Sequence, residues 1–219
     1  MKLKLTAALS ALAVLALSGG AHASASCGQI DQAISSTEDF VEMALASDAA
    51  ASKDALGVIG ASLTAVSPDL SPEAMQRSQA LLKQAEGAYA ASDMSAASLA
   101  AMNLYGELAK AFKGRLPTDL DIAMLDESGF RLHALLGAEK PDWAAVESAA
   151  RAAGQRWESA KRRVKDKALG DLMDHLLPSV AESAARKNAA WLHSSASLLL
   201  DSVDLLERAN KNTAKGACK

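Results

Sequence analysis

Four residues that favour helix starts, Asp48, Asp93, Asp142 and Asn188, recur along the chain at intervals of 45, 49 and 46 residues. Each is a good N-cap, because its side-chain oxygen can accept from the unpaired N–H groups of a first turn. Counting onward from each cap, position +11 holds Ile59, Leu104, Ala153 and Leu199, and position +15 holds Leu63, Leu108, Trp157 and Val203. Position +18 holds Val66, Ala111, Ala160 and Leu206, and position +3 holds Ala51, Ala96, Ala145 and Trp191. These offsets trace one face of a helix. The recurrence predicts an all-α chain of about eight helices as four stacked antiparallel hairpins. A helical-repeat-like array and a closed up-down bundle obey the same packing rules, and both satisfy the pattern.

Composition supports helix and leaves little room for strand. From residue 26 onward, 41 of 194 residues are Ala, and no stretch alternates with a period of two. Ser71-Pro72-Glu73, Thr118-Asp119-Leu120-Asp121 and Lys140-Pro141-Asp142-Trp143 read as helix openings. After Asp142, residues Trp143, Val146, Ala150, Ala153, Trp157, Ala160 and Val164 follow a 4-3 alternation, a seam that a neighbour can approach closely over the alanines. After Asn188, residues Leu192, Ala196, Leu199, Val203 and Leu206 form another seam. Leu198 and Leu205 widen it toward a second neighbour. Gly129 marks a further close approach, and Pro178 is expected to kink or break its helix.

The N-terminal segment reads as an address. Lys2 and Lys4 precede an uncharged apolar stretch, Leu5 to Leu17, and Ala21-His22-Ala23 and Ala23-Ser24-Ala25 both offer small residues at −3 and −1. This is the layout of a Sec signal peptide, and the stretch is short for a membrane-spanning helix. The expected organisation is a signal peptide over 1–25 and a single all-α domain over 26–219. Export to the periplasm or secretion follows, with no transmembrane segment in the mature chain. In an oxidising compartment Cys27 and Cys218 are expected to form one disulfide joining the chain ends. Lipidation of Cys27 and pairing between chains are the alternatives, though Ser24-Ala25-Ser26 lacks the large aliphatic residue of a lipobox.

Charge narrows the partners. The whole chain carries −3, and loss of Lys2 and Lys4 makes this −5, so nucleic acid is not an expected partner. Chemistry-bearing residues are few. Asp171 and His175 share a helical face four residues apart and are the best candidate for a transition metal; haem b between helices is the other cofactor alternative. The competing reading makes Asp171 an N-cap after Gly170, with Asp174 in its first turn. His193, Ser197, Asp201, Asp204 and Arg208 form a polar stripe opposite the Leu192 seam, readable as a ligand-facing or a solvated surface. Lys161 to Lys167 is the basic run, suited to a helix C-terminus. Trp143 and Trp191 lie beside hairpin caps, where aromatics can line a groove. No catalytic motif is present. The expected function is therefore a non-catalytic binding or adaptor protein that presents a helical surface or groove to a protein or small-molecule ligand, with no cofactor.

Overall fold

The computed structural model describes residues 24–116 and 118–210. Among the described residues eight antiparallel helices follow one another: α1 (Cys27–Leu45), α2 (Ala49–Val66), α3 (Pro72–Ala90), α4 (Met94–Ala111), α5 (Leu120–Leu136), α6 (Trp143–Ala160), α7 (Lys167–Ala185) and α8 (Ala189–Asn210). The described residues contain no strand. Residues 1–23, which hold most of the expected signal peptide, and Cys218 of the expected disulfide lie outside the described residues. Among the described residues no helix is long and apolar enough to cross a membrane.

The four recurring residues are the helix caps expected of them. Asp48, Asp93, Asp142 and Asn188 accept from the N–H groups of Ala51, Ala96, Ala145 and Trp191, at 2.9–3.2 Å. Three of the hairpin turns are built alike. Ser47, Ser92 and Lys187 adopt the left-handed region, with φ of 59°, 60° and 55°. The next residue, Asp48, Asp93 or Asn188, then donates its N–H back to Met43, Ala88 or Ser183, at 2.9–3.0 Å. This is the Schellman closure, and the residue completing it also caps the following helix. The α5–α6 connection departs from the pattern: it is longer, and Gly137 keeps a right-handed φ of −72°.

The side chains at +11 and +15 after each cap are all buried. So are those at +18 except Ala111, the last residue of α4, while those at +3 stay partly or fully exposed. Helices α5 to α8 close into a ring, with α5 against α6 and α8, and α7 against α6 and α8. Helices α1 to α4 are more open: α1 packs on α2 and α4, α3 packs on α4, and α2 barely meets α3. A second core surrounds this N-terminal group, and α4 against α5 joins the two halves. The array is thus closed in one half and open in the other.

Local expectations hold unevenly. The seam Val146, Ala150, Ala153, Trp157 and Ala160 is buried, and Gly129 meets Leu200 of α8. Pro178 does not break α7, which runs through it; the proline sits exposed beside an opening of about 640 Å³ between α6 and α7. Asp171 is not an N-cap. Asp166 caps α7, accepting from Ala168 and Leu169, so Asp171 lies in the second turn. Leu198 and Leu205 are each 45% exposed and do not make the second contact of α8; Leu200, packed over Gly129, makes it toward α5. Three residues of the basic run make ion pairs: Lys161 with Glu158, Arg163 with Asp119 and Asp121, and Lys167 with Asp171, at 2.7–2.8 Å.

Candidate functional site: an acidic groove along α5

Helix α5 is apolar around most of its circumference and is touched by α1, α4, α6 and α8. A helix buried on all sides must satisfy any acid it carries, since an unpaired interior charge is costly. Two such acids sit in its middle. Glu127 is answered by Arg131 one turn on, and Arg131 also donates to Asn103 at 2.8 Å. Asp126, 7% exposed, has no such cation and faces Glu38 of α1 instead.

The Glu38 and Asp126 carboxyl groups lie close enough for the protonation of each to depend on the other. Burial pushes Glu38 well above the usual carboxylate range, reinforced by the charges of Asp126 and Glu207. Burial raises Asp126 to about 7, with the nearby charges of Glu207, Asp204 and Glu42 acting in the same direction. The Tyr105 phenol of α4 lies fully buried beside Glu38, and burial raises it further above its ordinary value. Both shifts favour retention of protons by this pair in the folded protein.

This pair lies on the wall of a groove running along α5 between α1 and α8. Its wide part, about 350 Å³, is lined by Glu38, Glu42 and Leu45 of α1, by Asp126, Phe130 and His133 of α5, and by Ser197, Leu200, Asp201 and Asp204 of α8. A narrow pocket of about 40 Å³ adjoins it across Glu38, lined by Asp31, Ile34 and Ser35, Tyr105, Leu116, Thr118, Ala123 and Glu207. Seven carboxyl groups line the two parts, and among the described residues no lysine or arginine does. Arg208 reaches Asp204 at 3.1 Å from the neighbouring turn of α8.

At the wide end His133 is buried, and its Nε2 lies 3.3 Å from Ser197 Oγ. The His193 ring meets it edge-on at 4.4 Å between centroids. Burial, and then the charge of His193, lowers His133 to about 4, so it is neutral at physiological pH. Among the described residues no carboxylate hydrogen bonds to His133 to complete a serine–histidine–acid relay. Ser197, Asp201 and Asp204 of the polar stripe on α8 thus face the groove, while Arg208 makes a helix-surface pair.

The residues singled out from sequence fall elsewhere. Trp143 packs partly buried on the C-terminal core. Trp191 is 59% exposed in the first turn of α8, and neither tryptophan lines the groove. They stand at the same end of the ring but on diagonal helices, so they do not form one surface. Asp171 is held by Lys167 at 2.7 Å, and His175 is exposed. Among the described residues no group of three or more His, Cys, Asp or Glu is placed to hold a metal, so the Asp171–His175 pair gains no further ligand. Sequence reasoning missed Glu38, Asp126, Tyr105, Thr118 and His133. The available signal was Asp126 itself, an acid without a lysine or arginine one turn away, in a helix apolar on every side. No family model, no curated protein and no solved structure matches the chain.

Proposed function

We propose that this protein is an exported, non-catalytic binding protein that takes a cationic small ligand into the groove between α1, α5 and α8. One observation carries the reading: Asp31, Glu38, Glu42, Asp126, Asp201 and Asp204 converge on a groove that, among the described residues, no lysine or arginine lines. A fold gains nothing from gathering like charges, which repel and resist burial. A bound cation would offset that cost, and low-dielectric walls strengthen its attraction.

In this reading the N-terminal signal segment directs export, and Cys27 pairs with Cys218 in the oxidising compartment. Intact mass before and after reduction and alkylation tests that pairing. The binding test is calorimetric titration of the mature protein with calcium, spermidine and tetramethylammonium, at low and high salt. At least one cation is expected to bind, more weakly as salt rises, and to lose affinity in Asp201→Asn/Asp204→Asn. A protein that binds none of them, or binds equally well with these carboxylates neutralised, overturns the reading.

A further inference from the structure

The narrow pocket differs from the rest of the groove in three ways. Its volume, about 40 Å³, is close to that of one water, whose share of liquid volume is about 30 Å³. It contains Thr118, which is 8% exposed and whose Oγ1 finds no hydrogen-bond partner. It also mixes apolar and acidic walls, with Ile34, Leu116 and Ala123 set among Asp31, Glu38 and Glu207.

An orphaned buried hydroxyl is rare, because losing water without gaining a partner is costly. A hydroxyl carries two lone pairs and so can accept from a donor inserted into the pocket. A primary ammonium has three N–H donors, a water-sized head and a positive charge. It matches a pocket that offers the Thr118 hydroxyl and the Asp31 carboxylate. A quaternary ammonium has no donor and is too large for the space, and among the described residues no ligand set for a metal exists.

The wide part supplies the rest of the ligand. Leu45, Phe130 and Leu200 give it apolar surface for methylene groups, and Glu42, Asp201 and Asp204 can receive a second charge. Glu38 lines both parts, so the two lie side by side along α1 with one side chain between them.

We infer that the groove accommodates a linear aliphatic di- or polyamine, with one terminal ammonium inserted at Thr118 and the other nitrogen over the Glu42–Asp201–Asp204 wall. This rests on the cationic-ligand reading above and names its ligand class. Charge complementarity, the orphaned hydroxyl and the pocket size each point to the same end group. A single trapped water is the competing occupant, and it would leave affinity indifferent to the Thr118 hydroxyl.

The test is calorimetric titration of the mature protein with spermidine and, separately, tetramethylammonium, in wild type, Thr118→Val, Thr118→Ser and Asp31→Asn. Spermidine is expected to bind wild type and Thr118→Ser alike and to bind Thr118→Val about tenfold more weakly. Tetramethylammonium is expected to bind far more weakly than spermidine. Thermal unfolding confirms that Thr118→Val is folded, and Asp31→Asn, at an exposed position, supplies a second loss of affinity if it is not. Equal binding of both cations, with no effect of Thr118→Val or Asp31→Asn, overturns this inference and leaves the groove reading standing. Absence of binding by either cation, and by calcium, overturns both.

Discussion

Gly129 of α5 lies directly beneath Leu200 of α8: a methyl group at Gly129 would fall 2.6 Å from Leu200 Cδ2 and 2.9 Å from Cγ. This approach closes the C-terminal ring and sets the floor of the groove, since Leu200 also lines its wide part. Gly129→Ala gains about 1 kcal/mol of helix propensity. Overpacking against Leu200 costs about 1–3 kcal/mol, so a net loss is expected. Gly154, with nothing within 4 Å of an added Cβ, is the control, and Gly154→Ala is expected to stabilise. Thermal melts separate the two, and Leu200→Ala should remove most of the additional penalty in Gly129→Ala. A melting temperature for Gly129→Ala above wild type would refute the close approach.

Ser47, Ser92 and Lys187 hold left-handed backbone without being glycine. That conformation costs a non-glycine residue about 1–2 kcal/mol, of which the greater unfolded-state freedom of glycine returns about 0.5–1. Ser47→Gly, Ser92→Gly and Lys187→Gly are each expected to raise stability modestly, and nearly additively because the turns are far apart. Ala91→Gly, at a φ of −82°, should lower it. Denaturant midpoints measured at constant slope decide the matter.

The Glu38–Asp126 pair and His133 give stability two opposing dependences on pH. The carboxyl pair is surrounded by Glu42 of α1, Tyr105 of α4, and Asp204 and Glu207 of α8. Both acids are raised in the folded state, so the native protein holds protons that the unfolded chain has released. Stability from this source is present at low pH and falls as pH rises from near 4 through about 7 and above. His133 is lowered to about 4, so the unfolded chain takes up its proton first and stability falls as pH drops from about 6.5 toward 4. Glu38→Gln keeps a donor to Asp126 without the titratable proton and should flatten the alkaline limb. His133→Asn should flatten the acid limb. Melting temperature across pH 5 to 9 in the three proteins checks both signs, and unchanged profiles in both variants would count against the buried pair.

Ser24 and Ala25 are tied into the fold. The Ser24 hydroxyl and the Ala25 N–H donate to Asp69 at 2.8 and 2.9 Å, and Arg115 bridges Asp69 and the Ala25 carbonyl. Ala25 itself is 4% exposed and belongs to the N-terminal core. A cut after Ala25 would discard these contacts, whereas a cut after Ala23 keeps all of them. The mature N-terminus is therefore expected at Ser24 rather than Ser26. N-terminal sequencing of exported protein reads it directly, and a chain beginning at Ser26 would reject this expectation.

How much of this was legible in advance depends on the range of the interaction. The caps at Asp48, Asp93, Asp142 and Asn188 were readable because a cap is a contact over two or three residues. The buried positions at +11 and +15 were readable because helical periodicity is local. Asp171 was misread for an equally local reason: Asp166 takes the capping role four residues before Gly170, while α7 continues through Pro178 without a break.

The sequence by itself determined the helices, their turns and the faces they bury, because each rests on neighbours along the chain. Only the tertiary structure decided that the array closes around α5 to α8, stays open between α2 and α3, and gathers its acids along one groove. Glu38, Asp126 and Glu207 come from three helices distant in the chain, and nothing local marks them as a set. The raised protonation of Glu38 and Asp126 is a property of burial, which exists only once α1, α4 and α8 have packed around α5.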